Sequence, residues 1–481
     1  MQIRKILMAG LFIITPVIAQ ETSKISLLPE VKQLLVVSDI DEKAMEQNGY
    51  VSLLSINGPK SENLFTVAKR VILNNNRLLQ QAVKNNDNSL LEQFDTPENY
   101  FGKNYELHFL LGKYQFPCAS LAKQYCVEEV LKDKERLIQL IEKNKILLAR
   151  YQNLIKLPNF QAYSSVVEMP LAPYHYILFA SQLNLAQAVF EINEGRVKQG
   201  LTIIQQEIDF AKDKLLGGDY LIGGMIAVRQ LSISYHTLQA LLDSPQVASY
   251  LDDPQLIKLL QPLSDKQQQS FADIVKKEQQ FVLLFYYFTN ERSLQQTIDD
   301  MYKIGFYKQS KQYLEQARKL GYPLKIDKNV TMNLVYQQMQ KIIYKANLTL
   351  PDAAQQYQTD KSFPKTTLSI EQLYKKYGAT NLLAGLSLEE DEFTPYLHRF
   401  YDLNNYLWLI NAKLKIKQAA ITKQQVPVFL TNLGDKANNP YSQQPFKWEA
   451  TKQILSSEWI SKEIDTERDG IRASVYIQFN K

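Results

Sequence analysis

The chain has 481 residues, of which 45% are hydrophobic and 22% charged, and its formal net charge is +5. That is the composition of an ordinary soluble globular protein, long enough for two or three domains of about 150 residues each. The positive surplus is too small to imply a nucleic-acid partner, and no basic stripe with interleaved aromatics runs through the sequence.

Residues 1–19 read as an export signal. Arg4 and Lys5 give a positive start, Ile6 to Ile14 carry no charge, and Pro16 breaks the helix. Val17 and Ala19 then put small residues at the −3 and −1 positions before Gln20, so cleavage is expected between Ala19 and Gln20. The apolar stretch from Ile6 to Ala19 is 14 residues long, short of the ~20 that a spanning helix needs. No cysteine follows the cleavage position, so a lipid anchor is not expected there. The expected mature chain works in a bacterial periplasm, carries a net charge of +3 without Arg4 and Lys5, and has no stable membrane span.

Helical periodicity dominates from about residue 28 to about residue 360. Leu137, Ile138, Leu140, Ile141, Leu147, Leu148, Tyr151 and Leu154 recur at spacings of three and four, as one face of a helix requires. The stretches from Tyr174 to Leu216 and from Gly224 to Leu242 repeat the pattern, and prolines from Pro158 to Pro351 punctuate the runs. The prediction is a bundle or solenoid of antiparallel helices. Within it, Leu185 to Phe190, Gly195, Gly200-Leu201 and Ile204 to Ile208 resemble a tetratricopeptide-type helix pair. Ala188 and Gly200 would let the two helices approach closely. No second copy follows at a fixed period, so a generic helical hairpin is the favoured reading. Phe281 to Phe288 is the most apolar run, flanked by Lys276-Lys277-Glu278 and Asn290-Glu291-Arg292. Eight residues cannot span a bilayer, and a buried core helix is predicted.

The composition shifts near Pro364, which divides the chain into an expected all-helical domain over 20–365 and a second domain over 366–481. The second holds a helix from Glu392 to Lys423, with Leu397, Phe400, Leu403, Leu407 and Ile410 on its apolar face. Beyond Asn438, Phe446 to Glu449 and Ala473 to Phe479 alternate with period two. They predict a small antiparallel sheet of two or three strands packed on that helix. The expected fold class is therefore mainly α with a small C-terminal antiparallel β element.

Cys118 and Cys126 are the only cysteines, with seven residues between them. In an exported chain a close, even pair reads as a disulfide, here pinning the loop after Pro117 to the first turns of a helix. The alternative is a redox-active pair, which usually has two intervening residues.

No local motif reports catalysis. His108, His175, His236 and His398 show no metal-ligand spacing and sit beside apolar residues, so structural roles are expected and no metal or cofactor is. Ser120-Leu121-Ala122-Lys123 and Ser362-Phe363-Pro364-Lys365 match Ser-x-x-Lys, but the Ser-Asp-Asn and Lys-Thr-Gly elements of that chemistry do not occur. Gly217-Gly218 and Gly223-Gly224 fit a turn and a close helix contact, a substrate loop being the functional alternative. Glu389 to Glu392, with Ser387 and Glu390 as a capping box, fits a helix start better than a calcium loop. Paired carboxylates for glycoside hydrolysis converge in space and leave no sequence spacing to read.

The tail Asn439-Pro440-Tyr441-Ser442-Gln443-Gln444-Pro445-Phe446-Lys447-Trp448 resembles the Asp-Pro-aromatic-Gly-x-Pro-aromatic-x-Tyr segment of secretion pseudopilin heads, with Pro427 and Leu430 to Leu433 upstream. It departs from that pattern in having Asn439 for the acid and no glycine. The long helix is also internal, so the calcium binding of some pseudopilin heads does not carry over. More loosely, the chain resembles uncharacterised exported helical proteins of proteobacteria. That likeness rests on Asn48-Gly49-Tyr50-Val51, Phe116-Pro117-Cys118 with Cys126, Leu148-Ala149-Arg150-Tyr151, and Ile222-Gly223-Gly224-Met225-Ile226-Ala227. It implies a periplasmic location and the disulfide, and brings no activity. The expected function is a non-enzymatic scaffold or interaction module that binds another envelope protein. The alternatives are a cell-envelope hydrolase with dispersed carboxylates and an accessory factor of a secretion or pilus assembly.

Overall fold

A computed structural model of the chain describes residues 25–60, 63–101, 116–119, 125–166, 168–290, 292, 295–296, 299, 308–322, 324–362, 369–377, 393–436, 438–457 and 474–479. The export signal, with Ala19 and Gln20, lies outside them. So do His108, Ser120 to Lys123, Ser387 to Glu392, and the Ser362–Lys365 match beyond Ser362.

The fold is mainly α. Its longer helices are α1 (Leu64–Asn85), α2 (Cys126–Lys132), α3 (Lys134–Lys143), α4 (Lys145–Lys156), α5 (His175–Asn193), α6 (Val197–Asp209), α7 (Leu221–Leu241) and α8 (Ser270–Phe288). After them come α9 (Lys308–Lys319), α10 (Lys328–Ala346), α11 (Leu350–Ser362), α12 (Ile370–Tyr377), α13 (Thr394–Gln418) and α14 (Val426–Leu433). Local chemistry sets several boundaries. Asn63 accepts the Thr66 N–H to start α1, and Asn86 adopts a left-handed φ of 50° to end it. Between α4 and α5 the chain runs without helix, and this strap bonds to the segment around Asn48 through Gly49 N to Asn159 O at 2.8 Å.

The chain forms two compact units. One comprises Met1–Lys32, Thr289–Val335 and Thr366–Glu390. In it, Leu28 N donates to Asn333 Oδ1 at 3.0 Å, and Tyr322 stacks on Tyr374 with ring centroids 4.4 Å apart. The other unit comprises Gln33–Phe288, Tyr336–Lys365 and Asp391–Lys481, and α7 is its axis. Of the 21 residues of α7, 15 are buried, so this helix meets neighbours on every side: α2, α5, α6, α8 and α13.

The α5–α6 hairpin turns at Gly195, whose φ is 84°. A Cβ on Gly200 would sit 2.6 Å from Ala188 O, so this glycine sets how closely the two helices approach. The apolar run Phe281 to Phe288 ends α8. Leu283, Leu284 and Tyr286 are buried, while the other side chains are half-buried. The run is thus packed chiefly on one side, where all-round burial was predicted. Phe281, Phe285, Tyr287 and Phe288 keep partial exposure, and Tyr287 Oη donates to Val83 O of α1 at 3.0 Å. Among the described residues no helix is long and apolar enough to cross a membrane.

The sheet has strand order β1 (Lys447–Glu449), β2 (Ile454–Ser456), β3 (Ser474–Tyr476), antiparallel throughout. Trp448 stands opposite Leu455, which stands opposite Val475. Leu455 and Val475 are buried, and β2 and β3 pack on α13.

Candidate functional site: the two ends of a buried helix

At the N-terminal end of α7, two carboxylates converge. Asp219 is fully buried and accepts hydrogen bonds from Tyr174 Oη and from Tyr220 N–H, the latter at 2.7 Å. Its carboxylate lies over the first turn: a Cβ on Gly223 would fall 2.2 Å from Oδ2, so only glycine leaves the space. Glu278 reaches the same turn from α8 and accepts the Leu221 N–H at 2.9 Å. Both acids meet the free N–H groups and positive pole of the helix.

Burial nevertheless pushes Asp219 up to about 6, against the bonds from Tyr174 and Tyr220 and the charge of Lys277. Glu278 goes up to about 7, by burial first and the Asp219 charge second. Lys277 donates from Nζ to Gly217 O at 2.9 Å, and burial pulls it down to about 8. Burial also raises Tyr50, Tyr174 and Tyr220, which keeps these hydroxyls as donors.

The loop before α7 forms one wall of a cleft of about 630 Å³, with the strap and residues 38–48 on its other sides. Asp39, Asp41, Asp213 and Asp273 line it with Lys214 and Lys266, four carboxylates against two ammonium groups, a formal −2. All four carboxylates are exposed, whereas the desolvated Asp219 lies behind the wall. Lys214 is committed to the end of α4, donating to Ile155 O and Leu157 O at 2.7 and 2.6 Å.

The C-terminal end of α7 is met by lysines. Lys413 of α13 is fully buried and donates to Gln239 O at 2.8 Å, Gln239 Oε1 at 3.2 Å and Asp243 Oδ2 at 2.7 Å. Lys417, one turn on, donates to Asp243 Oδ1 at 3.1 Å and Gln478 O at 2.8 Å. Asp243 also accepts the Gln478 N–H at 3.2 Å, which ties the chain after β3 to the helix end. Burial pulls Lys413 down while the Asp243 charge opposes it.

Here lies the larger cleft, about 930 Å³. Leu251, Ile421 and Phe479 give it apolar surface, over the buried Val189, Ile192 and Ile416. Asn193, Gln246, Thr422, Gln453 and Gln478 contribute amide and hydroxyl groups. Helix α2 supplies Val127, Glu128 and Leu131, and its first residue is held by the predicted bridge. The Cys118 and Cys126 sulfurs are 2.09 Å apart, and both residues are buried. Arg229 of α7 donates to Ala119 O at 2.7 Å, beside the bridge.

The described histidines are dispersed. His175 is exposed at the start of α5 beside Tyr176, His236 is buried on α7 with Nδ1 3.3 Å from Tyr406 Oη, and His398 meets Tyr357 edge-on. Among the described residues no three His, Cys, Asp or Glu side chains group closely enough to hold a metal ion. The 439–448 tail folds inward: Tyr441 Oη donates to the buried Asp402 of α13 at 2.9 Å, and Asn439 N bonds Gln444 O at 2.8 Å.

One buried network escaped the sequence entirely. Glu207 of α6 accepts from Tyr151 of α4 at 2.6 Å, Asn184 of α5 at 2.7 Å and Gln230 of α7 at 2.8 Å. Burial raises its pKa against these bonds, and the network holds four helices in one arrangement. Asp219 left one faint signal, its place between two glycine pairs. Glu278 and Lys277 read only as the charged flank of an apolar run.

Compared with known proteins, the chain matches no family model, and no curated protein or solved structure is significantly similar to it.

Proposed function

We propose that the chain is an exported, non-enzymatic scaffold of a bacterial periplasm, whose larger cleft holds an extended segment of another envelope protein. The observation that carries this reading is the cleft's lining. Apolar surface accepts side chains, while the amides of Gln246, Gln453 and Gln478 can bond a peptide backbone. The buried acids Asp219 and Glu207, which would be the natural catalytic candidates, line neither cleft and are engaged with a helix end and with core amides. Photo-crosslinking residues placed at Gln246 and Gln453 in cells are expected to capture a discrete envelope protein. No adduct from either position, with the chain exported normally, would overturn the proposal.

A second reading is an envelope hydrolase, favoured by the four carboxylates of the smaller cleft. It requires that Asp→Asn changes at Asp39, Asp41, Asp213 and Asp273 abolish turnover of cell-wall material by the purified chain. A narrower form of the scaffold reading puts it at a secretion or pilus assembly, resting on the 439–448 tail alone. Unchanged secretion and piliation in a deletion strain would remove it.

A further inference from the structure

The loop that walls the smaller cleft is fastened at several points. Gly218 O accepts the Ala162 N–H of the strap at 2.9 Å, Tyr220 Oη donates to Tyr163 O at 2.8 Å, and Lys277 donates to Gly217 O. Gly217 has a φ of 83°, and a Cβ on Gly218 would lie 2.0 Å from Phe160 O. Loop and strap are therefore in direct backbone contact, and the loop cannot shift without the strap. Directly behind this contact stand Asp219 and Glu278.

We propose that residues 216–221 form a proton-operated latch on the acidic cleft, closed onto the strap while the carboxylates behind it hold protons and loosened when they ionise. Every element packed there contributes a titratable or charged group. Asp219 and Tyr220 come from the loop, Tyr163 and Tyr174 from the strap, and Tyr50 from the helix Gly49–Leu54. Asp273, Lys277 and Glu278 come from α8, and Asp213 and Lys214 from the turn after α6.

The neutral cluster suits its buried site because desolvation penalises only the ionised form, a penalty that the tyrosine and backbone donors offset in part. Ionised, the two carboxylates repel each other, and the fully buried Asp219 demands water that the closed loop excludes. Asp219 titrates at about 6, Glu278 at about 7 and Lys277 at about 8. As pH climbs past these values the cluster goes from one net positive charge, Lys277 alone, to two net negative ones, the carboxylates alone. Both acids are raised above their ordinary values, so their contribution to closure is fullest in acid and is lost as pH rises through 6 and 7. The depressed Lys277 acts oppositely, but only above about 8.

Hydrogen exchange on the whole mature chain, corrected for the intrinsic pH dependence of exchange, tests the latch without knowledge of any ligand. Between about pH 5.5 and about pH 8, protection of residues 158–166 and 217–222 is expected to fall about tenfold, the equivalent of one pKa unit. The amides of α5, as the internal reference, are expected to hold constant. Glu278→Gln is expected to shrink the change, and Asp219→Asn with Glu278→Gln to abolish it. Circular dichroism reports whether each variant folds, and if the double variant does not, Glu278→Gln alone carries the test. A pH-independent loop in the wild type, or an undiminished change in a folded variant, overturns the proposal.

Discussion

The two ends of α7 obey one electrostatic rule and differ in how completely they satisfy it. Acids meet its N-terminus and lysines its C-terminus, as the helix dipole favours. At the C-terminus, Asp243 lies within 2.7 Å of Lys413 and 3.1 Å of Lys417, and two carbonyls take further protons. At the N-terminus the buried Asp219 has tyrosine and backbone donors, but its cationic neighbour Lys277 donates to a carbonyl instead. Burial therefore wins there, and the acids titrate near neutrality. A helix end with a close counter-charge becomes a fixed staple, and one without it becomes sensitive to pH.

The comparison breaks most visibly at Asp243. Asp243→Ala strands Lys413 in the core without its counter-charge, and a loss of about 3 kcal/mol or more is expected in chemical denaturation. Lys413→Met, which removes the charge as well, is expected to lose less; equal losses would mean that packing, and not the stranded charge, sets the cost. At the other end, Gly223→Ala drives a Cβ onto the Asp219 carboxylate and should cost about 1–3 kcal/mol. A neutral result would mean the carboxylate can leave the first turn freely.

Two smaller effects sharpen the contrast. Lys417→Met, at a pair 14% exposed on both sides, is expected to cost about 1 kcal/mol in chemical denaturation. Glu278→Gln should be close to neutral at pH near 4.5, the acid's ordinary value. At pH 8 it should exceed the wild type in stability by less than about 1 kcal/mol, since the side chain is only partly buried. The sign follows from the raised pKa, since the wild type alone pays for a desolvated charge above 7. A stability curve for Glu278→Gln parallel to the wild type's would contradict the assignment.

Much of the frame was legible in the chain itself. Spacings of three and four found the helical runs of α3 to α7, although the single run read over Leu137 to Leu154 breaks at Asn144 into α3 and α4; Gly200 beside Ala188 announced the tight hairpin, and period-two alternation found β1 and β3. β2 stayed hidden because Ile454 and Leu455 stand side by side, so no apolar–polar alternation marks it. The predicted bridge is present, because two cysteines that close in sequence need little backbone adjustment to meet. The clefts were not legible, since their walls come from segments far apart in the chain.

Sequence alone therefore determined what repeats locally: the helices, their turns at glycine, asparagine and proline, the alternation of the terminal strands, and the cysteine pair. Tertiary structure decided what depends on distance and solvent. Asp219 and Glu278 are 59 positions apart and Lys413 and Asp243 are 170, so only the packed fold could bring each set to one end of α7. Only burial could make one set titrate near neutrality while the other stays locked by its neighbours. Periodicity is written in the order of residues, whereas desolvation and charge coupling belong to the assembled core.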